Sequence, residues 1–402
     1  IMEINVSAKS VETKSDIKKF LDFSWETPYD SYDVPILDSV IKAMLNGKHP
    51  SCKYGEINAW LFLKDNKVVG RTTLHSNILF NKKLGSKVIL FGCTILNDDI
   101  EVFKAFFNLI EEQALVSGAS KIFGPASLLP NQQGGASVSN FDIPGFVDSA
   151  YTPEFFVKAL DDWGFLHEND SQTWICDGIQ DDGFDPESLF NFDDTNFVSE
   201  NLAIRYGDKK EFDEQRKVLL PLINKSFSTL PYFTNIDEQE FAFQTDGLEY
   251  LIDESLLLFL EKDGVPVAFV LVVPDISDFI IKCSGNLNMF NQLKLYFSRK
   301  KYRKSAILII KGTDPDFAGS GFQTLLHREL FKNLKAGGYE TLFSTFVELT
   351  NPGSSASYLR AGGRPLQDFA FFSKELETKK IANTKEIADT IETTNNEAVV
   401  SK

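Results

Sequence analysis

Hydrophobic and polar positions along this chain follow two periods, and the order in which those periods occur is used twice. In the first half, residues 10–24 place Ile17, Phe20 and Leu21 on one helical side before Trp25-Glu26-Thr27-Pro28-Tyr29 breaks the pattern. Val34 to Leu45 reads as a second short helix. Ala59 to Leu63 and Val68 to Arg71 flank a polar turn and predict a hairpin. Val88 to Cys93 predicts a strand, Ile100 to Val116 an amphipathic helix, and Ile122 to Pro125 a strand end. A Gly/Ser/Asn/Gln-rich loop then runs from Ala126 to Ser149, ahead of a segment from Tyr151 to Phe165.

After an acidic stretch with few aliphatic residues, the programme restarts. Lys210 to Asn224 and Phe241 to Leu251 predict helices. Leu256 to Glu261 and Val265 to Val273 flank an Asp263-Gly264 turn, a strong hairpin signal. Ser305 to Ile310 predicts a buried strand, and the loop Lys311 to Gly321 follows it. A helix then places Phe322, Leu325, Leu326, Leu330 and Leu334 on one face and stops at Gly337-Gly338. Thr341 to Leu349 predicts a further strand. A strand, a glycine loop and a helix N-terminus together form a generic holder for phosphate, because unpaired N–H groups of the first turn point at the anion.

Composition narrows the class. A length of 402 residues suggests two domains rather than one core. The formal net charge of −16 argues against nucleic acid and against polybasic attachment to anionic lipid. No apolar run reaches the length of a transmembrane helix, and the opening residues show no signal-peptide pattern. Cys52, Cys93, Cys176 and Cys283 are widely spaced, as are His49, His75, His167 and His327. Neither a zinc site nor a disulfide framework is expected, and reduced thiols suit a cytoplasmic protein.

The stretch from Lys304 to Gly363 runs strand, Gly-x-Gly, helix, strand, Asn-x6-Tyr, Gly-Gly. In this it resembles the acetyl-coenzyme A region of the GNAT (Gcn5-related N-acyltransferase) superfamily. The usual loop there reads Gln/Arg-x-x-Gly-x-Gly/Ala. Here the six positions are Ala318, Gly319, Ser320, Gly321, Phe322 and Gln323, which keep the central glycine and depart at the first and last. Over residues 10–375 the chain is similar to bacterial tandem-GNAT proteins described as N-acetyltransferases. Trp25, Val34 to Leu37, Phe123-Gly124-Pro125, Phe141 to Pro144 and Trp163-Gly164-Phe165 carry the likeness in the first half. Pro274-Asp275-Ile276, Gly285-Asn286-Leu287 and Val347 to Asn351 carry it in the second.

The resemblance implies an α/β fold of two tandem GNAT-like domains, each a mostly antiparallel mixed sheet flanked by helices. The expected divisions are 1–176, an acidic linker 177–200, 201–376, and a disordered tail 377–402. It implies transfer of an acyl group from acetyl-CoA or a longer acyl-CoA to a primary amine of a small molecule or lipid precursor, with no prosthetic group. Some relatives act on long-chain amino lipids as ceramide synthases do. The alternative from another class is an acyl-CoA-binding or scaffold protein without turnover. Tandem domains suggest a monomer, since each supplies the pairing that single-domain relatives obtain by dimerising.

Residue by residue, the donor is expected at Gly319, Ser320, Gly321, Phe322, Gln323 and Thr324, with Ile310, Lys311 and Gly312 offering backbone to the pantetheine arm. Asn351 is expected to bond pantetheine or to cap the next helix. Tyr358 falls at the family's general-acid position, where a phenol suits protonation of a leaving thiolate. Glu348 and Asp275 are the candidate bases, each equally readable as a solvated or turn-closing carboxylate. His327 is expected on the outer side of its helix, without a role. The first half has Thr94 to Asp99 where the glycine loop would be, and Phe155-Phe156 where a tyrosine is common. It reads as a silent copy that shapes the acceptor site through the loop Asn131 to Asp148.

Overall fold

A computed structural model describes residues 5–25, 29, 32–130, 134–149 and 151–376. The expected tail, and part of the loop around residue 131, lie outside the described residues. The strands are β1 (Val6–Ser10), β2 (Ile57–Lys64), β3 (Lys67–His75), β4 (Val88–Leu96), β5 (Lys121–Gly124), β6 (Ala136–Ser137) and β7 (Leu166–Asp177) in the first half. The second half adds β8 (Leu202–Tyr206), β9 (Leu257–Lys262), β10 (Val265–Pro274), β11 (Ser305–Thr313), β12 (Thr341–Glu348) and β13 (Arg364–Glu375). They form one mixed sheet in the order β1-β2-β3-β4-β5-β13-β7-β12-β11-β10-β9-β8, with β6 on β13.

That order is a pseudo-two-fold with its final strands exchanged. The first five strands of one half and β8 to β12 of the other run outward from the centre in mirrored sequence. β7, which ends the first half, lies beside β12, and β13, which ends the second, lies beside β5. The two pair with each other antiparallel, from Arg364 opposite Ile175 to Ser373 opposite Leu166. Neither half therefore completes its sheet from its own consecutive residues.

Helices cover both faces. The stripe Phe322, Leu325, Leu326, Leu330 and Leu334 of the Phe322–Ala336 helix is buried against Ala268, Val270, Ala306 and Leu308 of the sheet. Each such side chain contributes roughly 1.5–3 kcal/mol on full burial. The opposite face packs under the Phe212–Phe227 helix, with Leu219, Ile223, Phe259 and Phe269 at its centre. The helix expected over 241–251 is Glu238–Gln244 followed by a separate turn at Leu248–Tyr250, because Gly247 at φ +77° interrupts it.

The acidic stretch 177–200 carries two short helices, Pro186–Leu189 and Asp194–Ser199. Ile179 and Phe190 are buried in the second half's core, and Arg328 donates to Asp194 at 2.7 Å. The described part of the long loop crosses onto the second half. The Phe146 ring stacks on Phe343 at 5.1 Å, and the Val147 amide donates to Ser277 Oγ at 3.0 Å.

Candidate acyl-donor site

β11 and β12 run parallel and pair from Ser305–Thr341 to Leu308–Ser344, and then they part. Two irregularities drive them apart. The register of β11 against β10 shifts between Leu308 and Ile310, and that of β12 against β7 shifts between Ser344 and Val347. Such bulges bend the strand that carries them. Among the described residues, β11 has no strand partner on its β12 side from Ile309 onward, so the sheet opens into a V at the end where the glycine loop begins. Thr345 closes the apex by donating Oγ1 to the Ile309 carbonyl at 2.8 Å.

The loop delivers a bare helix N-terminus to the mouth of the V. Gly321 is the N-cap at φ +76°, a conformation glycine adopts without strain, and no side chain caps the helix. Ser320 donates to Phe317 O and Thr324 to Gly321 O. Among the described residues, the amides of Gly321, Phe322 and Gln323 are left without an acceptor. These are orphan donors at the positive end of a 15-residue helix. Arg360 reaches over from the Pro352–Arg360 helix and donates to Thr324 Oγ1 at 3.0 Å, adding a guanidinium beside them. Lys225 pairs with both Asp314 and Asp316 in the same loop, at 2.7 and 2.8 Å, and offsets their charge.

Other expected donor residues have structural duties. Gln323 turns its side chain inward, donating Nε2 to Gly312 O at 2.8 Å and to Thr313 Oγ1 at 3.1 Å, so only its amide faces the mouth. Gly312 is a glycine of close approach, since a Cβ there would lie 2.7 Å from both Phe269 and Ser226. Asn351 caps the Pro352–Arg360 helix by accepting from the Ser354 amide at 3.2 Å.

Inside the V lies a half-buried polar group whose side-chain role sequence reading missed. Lys311 Nζ donates to Ser354 O at 2.8 Å and Ser357 Oγ at 2.7 Å, and sits 4.4 Å from the centre of the Tyr358 ring. Burial without a carboxylate pushes its ammonium pKa down to about 7. The bulge leaves Ile309 and Ile310 both packed on the side of the Phe212–Phe227 helix and turns Lys311 to the side of the Pro352–Arg360 helix.

Tyr358 is fully buried and stacked on Trp174 at 5.9 Å. Burial raises its pKa, so the phenol stays protonated. His327, expected on the outer side of its helix, is instead fully buried. Its Nδ1 bonds Gln323 O at 2.7 Å, its ring stacks near Phe190, and its Nε2 has no partner. The (i, i+4) stripe that includes Phe331 extends to position 327, which places the imidazole on the core side.

The two candidate bases separate. Glu348 ends β12 at the open end of the V, where Asn169 Nδ2 donates to it at 3.2 Å. Asp275 closes a turn by accepting from the Ser277 amide at 2.9 Å and hydroxyl at 2.5 Å. Its own amide bonds Ser305 O, about 20 Å along β11 from Lys311 at 3.3 Å per residue. The structure brings Tyr358, Lys311 and the 321–323 amides to one end of the sheet, the end at which β12 finishes in Glu348, with Asp275 at the other end. No group of three or more His, Cys, Asp or Glu among the described residues could hold a metal ion.

A parallel pair that splays into a V, with an uncapped glycine-led helix at its mouth, decides the fold. The chain has a tandem GNAT fold. A tandem GNAT protein from the clavulanic acid biosynthesis pathway superposes with a TM-score of 0.54 at 12% identity, covering 92% of this chain and 98% of that one. The GCN5-related glucosamine N-acetyltransferase region of a fungal multi-domain GH3 β-N-acetylglucosaminidase gives a TM-score of 0.56 at 14% identity. There 92% of this chain spans 38% of the larger protein. In sequence, this chain is 26% identical over 369 residues to Protein YghO of Escherichia coli K12, covering 90% of this chain and 94% of that one. It is 24% identical over 327 residues to a bacterial ceramide synthase of Caulobacter vibrioides, covering 79% and 82% respectively. No family model matches.

Proposed function

We propose that this protein is an N-acyltransferase that moves an acyl group from acyl-CoA to a primary amine. The observation that carries the reading is the uncapped N-terminus at Gly321, set at the mouth of the V between β11 and β12. The amides of Gly321, Phe322 and Gln323, with Arg360, would hold the pyrophosphate. The unpaired edge of β11 from Ile309 through Lys311 would take the pantetheine arm by backbone hydrogen bonds. The amine attacks the thioester carbonyl, a C–N bond forms, and the C–S bond breaks. Tyr358 gives the departing thiolate its proton, and Glu348 takes the proton lost by the amine, directly or through water.

Lys311, next to the Tyr358 ring, would supply a positive charge that steadies the thiolate as it forms. The likeness to a bacterial ceramide synthase supports a long-chain acyl donor and an amino-lipid acceptor within this class. Calorimetric titration with CoA, acetyl-CoA and palmitoyl-CoA tests the reading. One site with a preference for palmitoyl-CoA is expected, and no heat with any of the three would overturn it.

A further inference from the structure

The Met289–Ser298 helix, between β10 and β11, does not behave like the other helices of the fold. Of its ten residues only Leu295 is buried. Met289, Phe290, Leu293, Tyr296 and Phe297 are all exposed, Phe290 at 78% and Phe297 at 80%. Phe290, Leu293 and Phe297 fall at i, i+3 and i+7, and Met289 and Tyr296 flank them, so the five form one continuous apolar face. A ten-residue helix with a single buried side chain has little tertiary packing to support it, which points to a partner for the exposed face.

The charge around this face says what that partner is. The protein as a whole carries −16, with 57 acidic residues, yet no Asp or Glu occurs between Asp278 and Asp314. Within that interval, Lys294, Arg299, Lys300, Lys301, Arg303 and Lys304 follow or flank the apolar face. Arg303 pairs with Asp253 at 3.4 Å, and Lys304 with Glu340 at 3.5 Å. Among the described residues, Lys294, Lys300 and Lys301 have no ion-pair partner. Arg299 lies over the Tyr296 ring at 4.0 Å. Aromatic and aliphatic side chains on one face, edged by unpaired lysines, form the pattern of a helix lying in a membrane interface. No helix among the described residues is long and apolar enough to cross a membrane.

We infer that residues 289–301 dock this protein on an anionic lipid surface, with Phe290, Leu293 and Phe297 inserted among the acyl chains and Lys294, Lys300 and Lys301 against the phosphates. The net charge argued against such a surface when averaged over the chain. The field at a membrane falls off within a Debye length, about 8 Å at physiological salt, so the local patch decides. The inference does not depend on the acyl-transfer reading.

Sedimentation of the full chain with vesicles tests it, using phosphatidylcholine alone and phosphatidylcholine containing roughly a third phosphatidylglycerol. Binding to the anionic vesicles, absent on the neutral ones and weakened by salt, is expected. The F290S/F297S double variant should lose tenfold or more in partitioning, roughly the contribution of one buried aromatic side chain. Lys300→Glu and Lys301→Glu should each lose about fivefold or more. These positions are exposed, and an unchanged melting temperature confirms that each variant folds. Absence of vesicle binding at low salt overturns the proposal, as does binding indifferent to F290S/F297S. A wild-type dimer in sedimentation velocity that F290S/F297S converts to monomer, with no vesicle binding, would give the face to a second copy instead.

Discussion

The two halves build the same strand-to-helix junction and fill it in opposite ways. In the first half, β4 leads through Asn97-Asp98-Asp99 into the Ile100–Ser117 helix. Asp99 caps that helix by accepting from the Glu101 amide at 2.8 Å, and Lys64 holds Asp99 and Glu101 at 2.7 and 2.9 Å. A carboxylate already sits where a phosphate would bind. In the second half the cap is Gly321, and its amides are free. The V beside the junction differs as well. The chain after β5 folds back along β4, with the Ala126 amide donating to Phe91 O at 2.8 Å. A Cβ on Gly92 would lie 2.2 Å from the Ala126 carbonyl, so no slot remains there. In the nine-residue helix that follows, the seventh position is the buried Leu160, whereas the second half has Tyr358 there. One duplicated frame therefore yields a self-satisfied junction and an open one. The difference lies in a cap residue, a loop path and one side chain, Leu160 against Tyr358.

Making the second half resemble the first should remove its chemistry stepwise. Tyr358→Phe should lower kcat roughly 100- to 1,000-fold, the usual contribution of a positioned general acid, while CoA affinity stays within about threefold. Steady-state rates together with titration separate the two. Gly321→Asp should weaken CoA binding roughly 30- to 100-fold, because it places a carboxylate against the free amides. The reciprocal Asp99→Gly should create no CoA site, since the slot beside β4 stays filled. Heat from CoA in that variant would show that the cap alone decides.

Lys311 gives a pH test. Its pKa is about 7 in the folded chain against an ordinary 10.5, so between those values the unfolded state binds the extra proton. Stability contributed through this group therefore rises with pH across that window, and the penalty is fully present below about 7. Lys311→Met should abolish that rise and raise stability at neutral pH by about 1.4 kcal/mol for each unit of depression removed, read from denaturant midpoints at several pH values. An unchanged pH slope would place the ammonium in contact with water. Asp99→Ala carries the smallest effect. It should cost about 1 kcal/mol of stability as a lost cap and leave CoA binding untouched.

Much of the open junction was legible in the residues. Gly319 and Gly321 before an amphipathic stripe, with Asn351 and Tyr358 downstream, located the helix N-terminus and the phenol. The buried face of the Phe322–Ala336 helix is the one its spacing predicts. The acidic run at Asp98-Asp99 holds the side-chain cap of the first-half helix. These features are local, written in periodicity, capping chemistry and charge within a few residues of one another.

The sequence by itself therefore determined the two-fold programme of elements, the glycine-led helix and the contrast between its two copies. Tertiary structure decided the rest. Strand β7 went unread because residues 166–173 are mostly polar and alternate weakly, and it pairs with strands of the other half. The inward turn of Lys311 follows from a bulge that exists only once β11 pairs with β10. His327 is buried because Phe190, more than 130 residues earlier, packs over it. The exposure of the Met289–Ser298 helix has the same origin, since its apolar face reads as core until the fold leaves it uncovered. Periodicity says that a face is apolar, and only the assembled chain says what lies against it.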